Sequence, residues 1–225
     1  MHYRAKHTPN GNSVFREPNL MSELSLITKK IKKCRLCVDE PIGKPLPHEP
    51  RPVFQVSKDA KIAICGQAPG TLVHASGRPF TDPSGERLRR WTGLDESVFY
   101  DPKKVSVIPM GFCFPGQTPT GADLPPRREC APKWRNQLFA ELPQFRLVLL
   151  VGSYAIKWHL SGDKKRSLTD IVGDWRSYFD TNNDPAYAPM PHPSWRNNHW
   201  LKKNPWFEEE YMPVLRTEIE RVLAL

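Results

Sequence analysis

Three short, nearly unbroken apolar runs, each stopped by a glycine, limit this chain more than any other feature. They are KIAIC at 61–65 before Gly66, KVSVIPM at 104–110 before Gly111, and FRLVLLV at 145–151 before Gly152. Runs this short and this apolar suit strands buried on both faces, the habit of parallel sheets rather than of antiparallel sheets with one wet face. A weaker fourth run is Ala186–Pro191. Helical spacing fills the intervals. Ser22 can cap a helix to about Lys33, with Leu24, Ile27 and Ile31 on one side. Further helices are expected from Ser84 to Trp91, Ala131 to about Glu141, Ser153 to Leu160 and about Trp206 to Leu223. Strand alternating with helix gives an α/β class with a parallel sheet covered on both faces.

In such sheets ligands sit at the carboxyl ends of the strands. The Gly- and Pro-rich polar loops of this chain follow those ends: 66–70, 111–116, 152–153 and 192–198. Four loops on one edge outline one cleft. With 225 residues the chain suits one domain over residues 21–225, preceded by a polar tail at 1–20 that is expected to be flexible. The tail lacks the apolar core of a secretion signal, and no apolar run approaches the roughly 20 residues that span a membrane. A cytoplasmic, monomeric protein is the expectation.

Charge narrows the partner. Lysine and arginine number 33 against 24 acidic residues, a net charge of +9, which favours a polyanion and nucleic acid first. Five cysteines in a chain of cytoplasmic character point away from disulfides and towards metal or chance, the latter leaving Cys113 and Cys130 as ordinary buried thiols. Cys34 and Cys37 form a C-x2-C pair, and Cys113 and Cys130 lie in Pro-containing loops. Four thiolates can hold a tetrahedral zinc or a [4Fe–4S] cluster, and spacing alone does not choose. Cys65, at the end of an apolar strand, reads as core.

Three loops carry candidate chemistry. GQAPG at 66–70 lacks the endings of a P-loop or a dinucleotide fingerprint, but its glycines let backbone N–H groups approach a ligand. In GRPFTDPSG at 77–85, Phe80 can stack on an extruded base. Asp82 can orient a water or stabilise a cation, and it or Ser84 can equally cap the next helix. In PHPSWRN at 191–197, His192 is held between two prolines and can donate to a developing anion. Trp195 and Arg196 set an apolar wedge beside a cation, suited to insertion into a duplex. Arg127 and Arg128, beside Cys130, can touch phosphates, and surface solubility explains either one equally well.

The ordered set of these motifs, from Cys34 to Asn198, resembles the uracil-DNA glycosylase superfamily. It is most similar to the bacterial iron–sulfur families of the GEAPG and GLAPG type. The resemblance implies a three-layer α/β/α domain with a central four-stranded parallel sheet. It implies a monofunctional glycosylase that flips out uracil or another deaminated base and leaves an abasic site at the nucleoid. It favours the [4Fe–4S] cluster on Cys34, Cys37, Cys113 and Cys130, with zinc the alternative. Carried over by position, Phe80 stacks on the base, Gln67 and the Ala68 backbone lie against base and sugar, and His192 bonds the uracil O2. Ser194, Trp195 and Arg196 take the place of the DNA-inserting loop. Two departures stand out. Ala68 occupies the position where the best-known family has a water-positioning Asp, and 107–111 (VIPMG) lacks the Asn that reads the pyrimidine edge. Asp82 is the candidate replacement carboxylate. Hypoxanthine or xanthine joins uracil as a candidate lesion, and a non-catalytic binder of uracil or abasic sites is the reading from a different class.

Overall fold

The structure is a computed structural model that describes residues 22–160, 165–179 and 185–225. The expected tail at 1–20 lies outside the described residues. In chain order the elements are α1 (Glu23–Lys32), α2 (Leu36–Asp39), β1 (Ile62–Cys65), α3 (Thr71–Ser76), α4 (Pro83–Thr92), α5 (Glu96–Phe99), β2 (Val105–Val107) and α6 (Cys130–Ala140). They continue with β3 (Leu147–Val151), α7 (Ser153–His159), α8 (Leu168–Gly173), α9 (Trp175–Tyr178), β4 (Ala186–Met190), α10 (Asn198–Lys203) and α11 (Met212–Leu223).

The four strands form one parallel sheet in the order β2-β1-β3-β4, with Ile64 beside both Val107 and Leu149. All residues of β1, β2 and β3 are buried, because helices cover both faces of a sheet whose strands have no wet side. The expected three-layer α/β/α class is what the chain forms. Helix α1 starts where expected, with the Ser22 hydroxyl accepting from the Ser25 N–H. It buries Leu24, Ile27 and Ile31, and Ile31 is fully enclosed. Each such side chain contributes about 1.5–3 kcal/mol over its exposed state.

The differences are local. The run at 104–110 is a strand only over Val105–Val107, since Pro109 cannot donate to a ladder. Helix α4 begins at Pro83, one residue earlier than expected, because Asp82 and not Ser84 is the cap. The segment 67–82 holds a short helix, α3, closed by Gly77 at φ +70°. Before α11 the chain makes one π turn, Phe207–Tyr211, immediately ahead of Pro213.

One charged group sits inside the sheet–helix interface. Arg135 of α6 has no exposed surface. Its guanidinium donates to the carbonyls of Ile108 (2.9 Å) and Pro109 (3.0 Å), and to Cys65 Sγ (3.2 Å). It also meets His159 Nε2 at 2.6 Å, so that nitrogen accepts. Cys65 is core, as expected. Burial first, and then the Arg135 charge, push the His159 pKa from 6.5 down to about 3. The folded chain therefore keeps His159 neutral while the unfolded chain protonates it below about pH 6.5, so the unfolded state binds the extra proton. Folding stability should fall as the pH drops from 6.5 towards 3. Urea midpoints at pH 7 and pH 5 test this, and His159→Gln, which keeps an acceptor for Arg135, should flatten the dependence.

Candidate active site

A cleft of about 630 Å³ opens at the carboxyl ends of β1, β2 and β4. Its floor is the 66–70 loop. The Met110 N–H bonds to the Gly66 carbonyl (2.9 Å) and the Gly111 N–H to the Gln67 carbonyl (2.9 Å). These two bonds tie the loop to the chain leaving β2, whose carbonyls Arg135 holds from beneath. Gln67 and Ala68 line the cleft.

Phe80 forms one wall. Its backbone has φ +53°, a left-handed conformation that costs a non-glycine residue about 1–2 kcal/mol. Two donors hold it there: Arg89 Nη1 and the Tyr100 hydroxyl each reach its carbonyl at 3.1 Å. Two glycines leave it room. A Cβ on Gly66 would meet the Phe80 ring at 3.1 Å, and one on Gly85 would meet the Phe80 carbonyl oxygen at 1.9 Å. The ring is half-buried, with its edge set against Phe99.

His192 forms the opposite wall. Its Nδ1 accepts from the Ser194 N–H at 3.2 Å, and its own carbonyl accepts from Asn197 Nδ2 at 2.7 Å. With Nδ1 as acceptor, the neutral ring carries its proton on Nε2. Desolvation lowers the His192 pKa, against the opposing charges of Asp82 and Asp123. The imidazole is thus a neutral donor and not a cation. Asp82 lines the same cleft, and its Oδ1 also accepts from Gly85 N at 3.2 Å. The structure gives it the capping contact and the cleft position together.

Trp195 stands on the rim, 72% exposed, with the Arg196 guanidinium 5.8 Å from its ring. Ser194 caps this turn through the Arg196 N–H. Arg87 braces the turn from α4 by donating to Ser194 O (3.3 Å) and Asn198 Oδ1 (2.8 Å). Arg87 is a cleft residue that the sequence did not point to. Asp123 is another, and no motif surrounds it.

The cysteines gather elsewhere. Cys34, Cys37, Cys113 and Cys130 line one very small cavity of about 10 Å³, together with Ile31, Phe112 and Trp134. All four are free thiols. Two already accept hydrogen bonds: Cys34 from Trp134 Nε1 (3.3 Å) and Cys130 from the Phe112 N–H (3.4 Å). Burial pushes the thiol of Cys37 up to about 11 and that of Cys113 up to about 12, and raises Cys130 as well. Among the described residues no three His, Cys, Asp or Glu side chains are grouped to hold a metal ion.

Arg127 corrects an expectation. Its guanidinium clasps Glu129 (2.6 and 3.0 Å) and the carbonyls of Ile42 and Lys44, fastening the 42–44 turn to the start of α6. Those bonds commit it to the fold rather than to phosphate. Among the described residues no helix is long and apolar enough to cross a membrane.

The family model of the Uracil DNA glycosylase superfamily matches residues 53–216, which contain the sheet, the cleft and the three candidate loops. Fold, cleft and match agree, and the chain belongs to the uracil DNA glycosylase superfamily.

Proposed function

We propose that this chain is a DNA repair glycosylase that draws a deaminated base, uracil first, into the cleft and hydrolyses its N-glycosidic bond. The observation that supports this best is the meeting of Gln67, Phe80 and His192 around one cleft in a chain of this superfamily. Uracil leaves as an anion delocalised over N1 and O2, so the bond can break before water attacks. Catalysis then needs positioning and two opposite charges stabilised. Phe80 stacks on the extruded base. Gln67 and the Ala68 backbone hold its edge and the sugar. His192 donates from Nε2 to the uracil O2 as its charge grows. Trp195 fills the gap left in the duplex, flanked by Ser194 and Arg196 on the phosphates. The protein works as a monomer in the cytoplasm, at the nucleoid.

Asp82 serves the cationic sugar or the attacking water. Asparagine caps a helix as well as aspartate does, so Asp82→Asn removes the charge while keeping α4. Excision should fall about 100-fold with lesion binding kept. Unchanged turnover would leave Asp82 with its cap alone.

Cys34, Cys37, Cys113 and Cys130 are proposed to hold a [4Fe–4S] cluster. A single zinc needs four sulfurs about 2.3 Å from one point. The likeness to the iron–sulfur families of this superfamily is what favours the cluster over zinc. The group's contribution is structural, bracing the segment around Cys34 and Cys37 against the start of α6. Protein purified without oxygen should carry iron and acid-labile sulfide in equal amounts and absorb broadly in the visible. Cys113→Ser should lose both. Zinc in place of iron would select the alternative.

A single-turnover excision assay tests the whole reading. Labelled DNA would carry uracil opposite guanine or adenine, hypoxanthine, or xanthine, with alkali to reveal abasic sites. Cleavage at a lesion identifies a glycosylase and its substrate. Tight, salt-dependent binding without cleavage would make the chain a lesion-binding protein, the reading that Ala68 motivates.

A further inference from the structure

Asp123 occupies a position in the cleft that nothing in the motifs assigns. The segment 116–124 folds back on itself as a small hairpin. Thr118 N–H bonds to Ala122 O (2.8 Å), Gly121 N–H to Thr118 O (2.9 Å), and Leu124 N–H to Gly116 O (2.9 Å). Gln117 and Asp123 face each other across this hairpin as an antiparallel bridge. Gln117 Nε2 donates to Asp123 Oδ1 at 3.1 Å, which fixes the carboxylate. The other oxygen, Oδ2, projects over the 66–70 loop. It lies 3.0 Å from where a Cβ on Gly70 would stand, so the glycine leaves the space it fills. Its charge also acts on His192, another residue of the cleft lining.

We infer that Asp123 is a second catalytic carboxylate, which receives the proton of the water that attacks the sugar. The inference rests on the glycosylase reading above. A carboxylate is negative and accepts only. Against the departing base, where negative charge grows, it would oppose the reaction. On the sugar side, where positive charge grows and water must be held, it assists. Asp82 has one oxygen engaged by the cap of α4, whereas Asp123 is oriented by Gln117 and presents an oxygen that accepts no hydrogen bond from the described residues. The step balances. The C1′–N bond breaks and its electron pair stays on the base. Water oxygen bonds to C1′ and its proton passes to Asp123. That proton then reaches the base anion through solvent, leaving a C1′ hydroxyl and the neutral base.

Asp123→Ala tests this in the full chain, on whichever lesion duplex the wild type cleaves. Single-turnover excision should slow by about 100-fold, the lower range for a positioned general base. Added formate should restore part of the rate, and chloride at the same ionic strength should not. The thermal midpoint should match the wild type, since the side chain is exposed. A rate within a few-fold of wild type, or a loss that formate does not move, overturns the role of Asp123 while leaving the glycosylase reading intact. A wild type that cleaves no lesion overturns both.

Discussion

His192→Ala should slow excision by about 100- to 1000-fold, the usual cost of one preorganised donor to a developing anion. The geometry explains why the loss should be large. The Ser194 N–H at Nδ1 selects the tautomer with its proton on Nε2, and Asn197 anchors the backbone that carries the ring. On the proposed reading the donor is set before a base would arrive, so no reorganisation would be needed as charge develops. Depression of its pKa keeps the ring neutral. A neutral donor approaches uracil O2 without the desolvation cost of a cation. The sign of the pH effect follows. With the folded pKa below 6.5, His192 stays in its donating form through neutral pH, and raising the pH above 7 should change nothing through this group. Single-turnover rates of the variant on the uracil duplex, with binding to abasic product measured beside them, check the claim. A loss under tenfold with binding unchanged would take His192 out of the chemistry.

Gly85→Ala should damage both stability and excision. The added methyl would stand 1.9 Å from the Phe80 carbonyl oxygen and 2.5 Å from its carbon. These are backbone atoms, so no rotamer change relieves them. Overpacking of this kind costs about 1–3 kcal/mol or more. In a chain of this size each kcal/mol lowers the melting temperature by about 2–4 °C. Phe80 cannot yield easily, because Arg89 and Tyr100 hold the same carbonyl. If it does yield, the ring leaves the wall of the cleft. Excision should therefore fall by more than the loss of folded protein explains. Glu86→Ala, exposed and one residue along α4, is the control and should behave as wild type. A Gly85→Ala protein with wild-type melting and wild-type turnover would show that α4 and Phe80 are not locked together.

The sheet was legible because burial on both faces writes itself into sequence as an unbroken apolar run. KIAIC and FRLVLLV became β1 and β3 with ends shifted by one or two residues. Of the short helices only α7, expected at Ser153–Leu160, was legible. Helix α3 lies in a stretch rich in Gly and Pro, and its single buried residue, Val73, makes no period. That Phe80, His192 and Gln67 line one cleft was legible because motifs frame them. Arg127 could be misread because a surface phosphate contact and an internal clasp use the same residue type. Only the position of Glu129 and of two carbonyls distinguishes them.

What the sequence determined by itself is the class of fold, the edge of the sheet where the cleft opens, and the loops that meet there. Those depend on patterns repeated along the chain: apolar runs, glycine stops and prolines. The tertiary structure alone decided which atoms face one another. It placed Asp123, 53 residues from Gly70, in the space that a glycine leaves open, and it gave Asp82 a cap as well as a cleft position. It buried Arg135 against the carbonyls at the end of β2, and it gathered four distant cysteines on one cavity. The physical reason is that such contacts depend on distances between remote residues, which are set only when the core has closed and which leave no local periodicity in the chain.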